Sequence, residues 1–379
     1  MPASVEELRL EEVRIPFKIA FKHAAAERGE TSSVWVEARS GRTIGFGESC
    51  PRPYVTGETL NTARAFFQRY ESSIRSRVTN LDTLHQWMGE HRDALDENPA
   101  AWCAMELALL DLIAQTGGTT IEGLLSLPEL EGLFQYTAVL GDAPTDAFKA
   151  VAEEYRRLGF TDYKVKLSGN AASDRERVDV LRGWPAASRR FRADANNLWS
   201  TADEAIAGIA RLDFPFFAVE EPIRRRHHAE LSRIARALEC QIILDESCVR
   251  LDDLAPLARE PQQWIVNVRV SKMGGLVRSL DLVRAARAIG VQLIVGAQVG
   301  ETTLLTRAAL PVAKAAGADL VAQEGAFGTW LLAHDVCEEP LMFGARGVLD
   351  VASYRWLQRP GWGISKSDRF TSLPGRSPQ

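Results

Sequence analysis

The sequence predicts an α/β protein, a (β/α)8 TIM-type barrel preceded by a smaller α+β domain. From about Phe134 onward, short apolar stretches alternate with helical patterns, which is typical of parallel strands covered by helices. Eight such units fit into roughly 200 residues, the size of a compact barrel. An open doubly wound sheet is the alternative, but no glycine fingerprint follows any of the strand-like stretches.

The N-terminal region, residues 1–125, is predicted to form the α+β domain because its strands precede its helices. The stretches Leu8–Val13 and Ser33–Ala38 are strand-like, and the second alternates small apolar residues with larger ones. The segment Ala100–Ala114 places apolar residues at helical spacing, and a glycine pair follows it.

The barrel is predicted to span residues 126–337. Its eight strand candidates are Phe134–Leu140, Asp162–Leu167, Phe191–Ala195, Phe216–Glu220, Gln241–Asp245, Trp264–Val268, Gln292–Val295 and Asp319–Val321. Helical patterns such as Ala202–Ala210 and Leu276–Ala288 fill the intervals between them. Residues 338–379 are expected to return over the surface toward the N-terminal domain.

Composition limits the classes of function. The 379 residues are 46% hydrophobic and 25% charged, and the net charge of −5 with both signs interspersed argues against a nucleic-acid partner. No apolar run approaches the ~18 residues of a membrane span, and the N-terminus lacks the features of a signal peptide. The five cysteines form no CxxC pair, which fits neither a disulfide framework nor a zinc cluster. We therefore expect a reduced, cytoplasmic enzyme of small molecules, with a homo-oligomer suggested only by analogy with other barrels.

Charged residues stand at the ends of consecutive predicted strands. They are Lys164 and Lys166 on one strand, then Asp194, Glu220, Asp245 and Arg269 on the next four. Their intervals, counted from Lys166, are 28, 26, 25 and 24 residues, about the length of one βα unit. Successive strands therefore deliver these side chains at one height, the carboxyl end of the barrel where active sites form.

The alternation of side chains along a strand predicts which of these residues face one another. Lys164 and Lys166 are two residues apart and point to the same side. Alternation directs Glu220 inward and Glu221 outward. For Asp245 both directions stay open, because the residues before it are all apolar.

Three carboxylates at one mouth repel one another unless a cation neutralises them. Asp194, Glu220 and Asp245 would supply the hard oxygen ligands that Mg²⁺ prefers. The field of such a cation, together with their mutual repulsion, is expected to lower the pKa of Lys164 and Lys166 toward values useful for a base. Each residue alone has an ordinary explanation as a strand edge, a helix cap or a turn, but their joint placement favours a site.

Short motifs recur in order along nearly the whole chain. They are Gly45–Glu48, Pro53–Thr59, Ala104–Asp111, Lys164–Lys166, the three carboxylates above and Lys272–Gly275. Together they resemble the enolase superfamily, specifically the muconate-lactonizing-enzyme-like branch of the mandelate racemase/muconate lactonizing enzyme family, which includes dipeptide epimerases and o-succinylbenzoate synthases. The resemblance implies that Mg²⁺ held by the three carboxylates binds a substrate carboxylate, that Lys166 removes the α proton, and that Lys164 helps to stabilise the enediolate.

One position departs from the pattern that the resemblance implies. Racemases and epimerases of this branch carry a second catalytic lysine on the sixth strand, where this chain has Arg269. Arginine stays protonated, so it is a poor base but a good partner for negative charge. One-base elimination or cycloisomerisation is therefore favoured over racemisation. Three alternatives stay open: a two-base amino-acid or dipeptide epimerase, a lapsed enzyme that binds carboxylates without turnover, and a metal-free barrel whose acidic mouth binds cations.

Further residues are expected to contact the small-molecule carboxylate substrate. They are His23 and Tyr54 in the N-terminal domain, and Asn196, Lys272 and Glu324 in the barrel. Asn196 shares a face with Asp194, and Glu324 ends the eighth strand, where the branch often has aspartates that hold a substrate amine. The seventh strand end lacks the histidine of the mandelate-racemase-like branch.

Overall fold

The computed structural model describes residues 4–184 without 24 and 25, and residues 189–367; for 19–23 and 26–28 it describes the backbone alone. Its N-terminal elements are β1 (Glu7–Val13), β2 (Pro16–His23), β3 (Ala26–Glu30), β4 (Ser33–Ser40), β5 (Thr43–Ser49), α1 (Leu60–Arg77), α2 (Leu81–Glu90), α3 (Arg92–Glu97), α4 (Pro99–Thr116) and α5 (Ile121–Leu124). Strands β1, β4 and β5 form an antiparallel sheet, while β2 and β3 form a separate hairpin. The predicted strand at Ser33–Ala38 and helix at Ala100–Ala114 are confirmed as β4 and α4.

The barrel strands follow the predicted order. They are β7 (Ala138–Leu140), β8 (Asp162–Lys166), β9 (Arg190–Asp194), β10 (Ala218–Glu220), β11 (Gln241–Leu244), β12 (Trp264–Val268), β13 (Gln292–Val295) and β14 (Leu320–Gln323). Each strand pairs in parallel with the next in one curled eight-stranded sheet. The two edges meet where the Thr137 N–H donates to the Gln323 carbonyl at 2.8 Å. The (β/α)8 prediction is confirmed.

Helices occupy the intervals between these strands. They are α6 (Thr145–Leu158), α7 (Ala171–Arg182), α8 (Ala202–Ala210), α9 (His228–Leu238), α10 (Val270–Met273), α11 (Leu276–Ala288) and α12 (Thr303–Ala316), with a 3-10 helix at Leu251–Arg259. The predicted helices Ala202–Ala210 and Leu276–Ala288 are confirmed at both ends. In the described part of the chain, no helix combines the length and the apolar composition that spanning a membrane would require.

The first predicted barrel strand is wrong in one respect. The stretch Phe134–Leu140 divides into β6 (Leu133–Gln135) and β7. The two strands belong to different sheets: β6 pairs antiparallel with β15 (Val348–Asp350), whereas β7 pairs in parallel with β8. Apolar content continues through the break, so hydrophobicity alone does not reveal it.

The interior of the barrel alternates between an apolar layer and a polar one. The apolar layer consists of Ala218, Ile243, Ile265, Ile294 and Ala322. Two positions further along the same strands come Glu220, Asp245, Asn267, Gly296 and Glu324. Because alternate residues of a strand share a face, this second layer also points inward at the carboxyl end of the barrel. The direction of Asp245, which the sequence left open, is therefore inward, and Glu220 points inward as predicted.

The two parts of the chain are joined by buried carboxylates. Glu106 of α4 accepts hydrogen bonds from the backbone N–H groups of Leu276 and Val277 at 2.7 and 2.9 Å, and so caps the N-terminus of α11. Gly275 makes this approach possible, since it has a φ of +101° and a Cβ there would lie 2.2 Å from the Glu106 carboxylate. Two of the motifs that carried the family resemblance thus contact each other directly.

Candidate functional site

The two lysines of β8 lie among carboxylates of the neighbouring strands. The Lys164 Nζ is 3.1 Å from Asp194 Oδ2 and 2.7 Å from Glu220 Oε2. The Lys166 Nζ is 2.8 Å from Asp194 Oδ2 and donates to Asn196 Oδ1 at 2.8 Å. This arrangement follows from register, because Lys166 pairs with Asp194 across the parallel ladder. The structure therefore brings these five predicted residues together.

Arg269 meets the carboxylates on the other side of the site. Its Nη2 lies 2.5 Å from Asp245 Oδ2 and 3.6 Å from Glu220 Oε1. Its Nη1 donates to Gln298 Oε1 at 3.2 Å. The guanidinium therefore contacts two carboxylates through Nη2 and an amide oxygen through Nη1.

Lys272 contacts the protein rather than the open site. Its Nζ lies 2.9 Å from Asp245 Oδ1 and donates to the backbone carbonyls of Asp245 and Asn267 at 2.7 and 2.6 Å. Asn267 in turn donates to Glu220 Oε1 at 3.4 Å, in space that a Cβ on Gly296 would fill. Lys272 therefore holds Asp245 in place and lies outside the lining of the cavity, and its contact with substrate stays a prediction.

Glu324 is held by Arg192, a residue that the sequence analysis missed. The Arg192 Nη2 lies 2.7 Å from Glu324 Oε1, and Lys164 lies 3.4 Å from the same oxygen. Arg192 also pairs with Asp162 and is completely buried. A signal was available, since Arg192 precedes Asp194 by two residues and Asp162 precedes Lys164 by two, so both share the inward faces of their strands.

The charges shift one another's pKa values. Burial would lower the pKa of Lys164, but the carboxylates of Asp194 and Glu220 outweigh it and raise the pKa above its ordinary value. Burial raises the pKa of Glu220 to about 7, whereas Lys164 and Lys166 overcome burial at Asp194 and lower its pKa. At Lys164 the side chains by themselves thus act opposite to the lowered pKa that the sequence suggested, because that lowering requires the field of a cation as well.

The donor chemistry of the site fits Mg²⁺. Asp194, Glu220 and Asp245 present carboxylate oxygens from three adjacent strands, and the buried Glu220 Oε2 accepts no hydrogen bond although Lys164 is close. Within the described residues, no group of three or more His, Cys, Asp or Glu side chains is arranged so that it could hold a metal ion as it stands. The reason is geometric. Lys164 lies between Asp194 and Glu220, and Arg269 lies between Glu220 and Asp245.

A cavity of about 680 Å³ opens over these residues, a size suited to a small-molecule ligand. Of the residues predicted from the sequence, it is lined by Tyr54, Lys164, Lys166, Asn196, Asp245, Arg269 and Glu324. Asp194 and Glu220 are buried beneath it. Lys272 is outside the lining, and the side chain of His23 lies outside the described residues.

Two more polar residues of the cavity were missed by sequence reasoning. Glu246 is buried with its Oε2 unpaired, and Glu301 accepts a hydrogen bond from the backbone N–H of Gln298 at 2.6 Å. Both glutamates follow strand ends in the sequence, but neither lies on the inward face that alternation selects. Glu221, predicted to point away from the barrel interior, is outside the lining of the cavity. It is fully buried and accepts hydrogen bonds from the backbone N–H groups of Asp245 and Ser247, each at 2.8 Å.

Known proteins resemble this chain over nearly its whole length. It is 29% identical over 367 residues to an L-Lys-D/L-Arg epimerase from Methylococcus capsulatus, covering 93% of this chain and 95% of that one. It is 26% identical over 343 residues to a chloromuconate cycloisomerase from Cupriavidus pinatubonensis, covering 87% and 89% of the two chains. Among solved structures, a dipeptide epimerase from Methylococcus capsulatus complexed with Mg and the dipeptide L-Arg-D-Lys matches with a TM-score of 0.79 and 27% identity, over 96% of this chain and 99% of that one.

A family model described as "Enolase C-terminal domain-like" matches residues 147–369, which is more than half of the chain. The match covers the barrel strands from β8 to β14, and with them the lysines and the carboxylates of the site. The chain therefore belongs to the enolase C-terminal domain-like family and is an enzyme of the enolase superfamily.

Proposed function

We propose that this enzyme abstracts the proton α to a substrate carboxylate in a Mg²⁺-dependent reaction, with Lys166 as the base. The observation that carries the proposal is the position of Lys166. Lys166 lines the cavity, and its Nζ lies one hydrogen bond from Asp194 and Asn196. Asp194, Glu220 and Asp245 are the residues that would hold the metal.

Stabilising the charge that develops on the substrate carboxylate is the main requirement, because a proton α to a carboxylate is very weakly acidic. A bound Mg²⁺ supplies positive charge next to that carboxylate. Lys166 accepts the proton, and Asn196 orients its amine through the hydrogen bond to Oδ1. Lys164 stays protonated beside its carboxylate partners and donates toward the developing negative charge.

Arg269 favours chemistry on one face of the substrate. Burial would lower its pKa, but Asp245 and Glu220 raise it, so the guanidinium stays charged and cannot act as a second base. A single base supports syn elimination or cycloisomerisation, and the similarity to a chloromuconate cycloisomerase agrees with that chemistry.

Two-base epimerisation is the second candidate, because relatives of this chain are an L-Lys-D/L-Arg epimerase and a hydrophobic dipeptide epimerase. It requires a proton donor opposite Lys166. Arg269 occupies the far side of the carboxylate cluster, with Asp245 and Glu220 between it and the lysines. A lapsed enzyme that binds carboxylates without turnover is the third possibility.

Hydrogen exchange at the α carbon tests the proposal. Both enantiomers of candidate acids are incubated in D₂O with and without Mg²⁺, and deuterium incorporation is followed by NMR. We expect Mg²⁺-dependent exchange with retention of configuration, in one enantiomer of each reactive acid. The Lys166→Ala variant is expected to lose roughly 10²–10⁴-fold in rate, the usual contribution of a general base.

Lys149→Ala removes an exposed lysine of α6 and is the matched control, with exchange unchanged. Exchange that persists in Lys166→Ala overturns the assignment of the base. Exchange with inversion supports the two-base epimerase, and carboxylate binding without exchange supports the lapsed enzyme.

A further inference from the structure

The cavity over Lys166 has an apolar side toward solvent. The outer wall, as we call it, consists of Phe148, Val151 and Tyr155 of α6 together with Phe327 and Trp330 of the segment after β14. These residues line the same cavity as Lys166, so the space above the lysines is continuous with this wall.

The α6 side of the outer wall is built on helical spacing. Phe148, Val151 and Tyr155 are separated by three and four residues and share one helix face. Phe148 and Tyr155 are nearly buried, at 2% and 5% exposure, but Val151 is 37% exposed. The apolar stripe of α6 therefore includes a residue, Val151, that the packing of the helix against the protein does not bury.

Trp330 forms the opposite side and is held in place although it is exposed. Its ring lies 6.4 Å from that of Tyr155 at an interplanar angle of 25° and 6.1 Å from that of Phe343. It remains 36% exposed. A fixed aromatic surface that faces a cavity rather than the core is typical of a ligand-binding wall.

Exposed apolar surface is unusual enough in this chain to be informative. Among the described residues, the exposed large hydrophobic side chains are Leu133, Val151, Leu251 and Trp330. Two of these four line the one cavity that contains Lys166. Apolar groups clustered at a pocket mark a binding surface, whereas single exposed apolar residues need no explanation.

Charged groups along the outer part of the cavity offer little to a cationic ligand. Asp142 is paired with Arg177 at 2.7 Å, and the Lys18 ammonium donates to the Thr329 carbonyl. The lining carboxylates Glu246, Glu301 and Glu324 lie within reach of the charge of Arg269 in the inner part of the cavity. On the α6 side the remaining carboxylate among the described lining residues is Glu154, and it is exposed to water. Water screens an exposed carboxylate strongly, so its pairing with a ligand would contribute little affinity.

We infer that the outer wall binds an uncharged apolar substituent, so that the substrate is a carboxylic acid carrying a bulky aliphatic or aromatic group. The inference rests on the proposed function, which places the carboxylate of the substrate at the lysines. It names a class different from the basic dipeptide found with the similar Methylococcus structure.

Binding to a matched series of acids tests this inference. N-acetylphenylalanine, N-acetylleucine, N-acetyllysine and N-acetylglycine are titrated into the full chain with Mg²⁺ by calorimetry. We expect the phenylalanine and leucine derivatives to bind at least tenfold more tightly than the other two, because only they bury apolar surface on the outer wall.

Three variants separate the apolar contact from a charged one. Trp330→Ala and Val151→Ser are each expected to weaken binding of the phenylalanine derivative several-fold, and Val151 is exposed enough for its variant to fold normally. Glu154→Gln, one turn from Val151, is expected to leave that affinity unchanged. Tightest binding of N-acetyllysine, lost in Glu154→Gln, overturns the inference, as does failure of every acid to bind.

Deuterium exchange separates this inference from the proposed function. If the apolar acids bind through Trp330 but do not exchange, the outer wall is correctly assigned and the proposed function is wrong. If exchange depends on Lys166 but is insensitive to Trp330→Ala and to the substituent, the proposed function stands and the assignment of the outer wall is wrong.

Discussion

Arg269 is the residue that most distinguishes this site. It contributes a permanent positive charge 2.5 Å from Asp245, one of the three carboxylates proposed to hold Mg²⁺. A cation bound by Asp245 must share that carboxylate with the guanidinium and with Lys272. Like charges at such distances repel even when partly screened, so Arg269 opposes metal binding while it holds Asp245 in position.

Removing this charge is therefore expected to strengthen metal binding. Arg269→Met should bind Mg²⁺ about tenfold more tightly than the wild-type chain in a calorimetric titration, since one nearby positive charge is lost. Asp245→Asn should weaken binding. Arg190→Met removes an exposed arginine at the opposite end of β9 and should change nothing. An unchanged affinity in Arg269→Met would show that the metal does not use Asp245.

At the scale of elements, two helix N-termini are among the points where the N-terminal part and the barrel join. Glu106 caps α11, and Glu48 accepts from the backbone N–H and the hydroxyl of Thr302 at 3.1 and 2.6 Å, at the start of α12. A helix N-terminus has unpaired N–H groups, and a carboxylate satisfies them. These contacts set where the N-terminal elements stand relative to the strand ends of the barrel.

Gly275→Ala tests how closely this joint is packed. The added Cβ would lie 2.2 Å from the Glu106 carboxylate on a backbone with positive φ, so we expect a loss of about 3 kcal/mol in unfolding free energy. Gly89→Ala is the matched control, because Gly89 lies in α2 with no atom within 4 Å of its Cβ position. It should be neutral or slightly stabilising in the same denaturation experiment. Equal stability of the two variants would contradict the close packing at Gly275.

At the scale of the whole molecule, ionisable groups are buried where these parts meet. Burial raises the pKa of Glu48 and of Glu106 to about 8 in each case, from an ordinary value of 4.5. The folded chain therefore holds these two protons more tightly than the unfolded chain does. Between pH 4.5 and pH 8 folding takes up protons, so stability falls as the pH rises.

This linkage predicts that thermal stability decreases from pH 5 to pH 8.5. Glu48→Gln and Glu106→Gln each remove one titrating group, so each variant should show a shallower decrease than the wild-type chain. Calorimetric melting temperatures across the range provide the measurement. The comparison of slopes is informative even if a variant is less stable overall, and identical slopes would contradict the raised pKa values.

Much of the fold and much of the site could be predicted because local patterns specify them. The barrel strands follow from apolar stretches that recur at intervals of about one βα unit. The inward direction of Glu220 follows because side chains alternate between the two faces of a strand. Arg192 was equally predictable from its distance to Asp194. Glu246 and Glu301 were not, because they follow strand ends in loops, where no periodicity directs a side chain.

The sequence by itself determined the order of the strands and which charged residues stand at their carboxyl ends, since spacing along the chain encodes both. Only the tertiary structure decided which charged side chains pair with one another. Lys164 and Glu324 are 160 residues apart and meet because the sheet curls until its edges touch. Lys272 lies under Asp245 because α10 turns back toward β11, and the outer wall exists because α6 packs beside the segment after β14. Such pairings depend on strand curvature and rotamers across many elements, and no stretch of sequence contains that information alone.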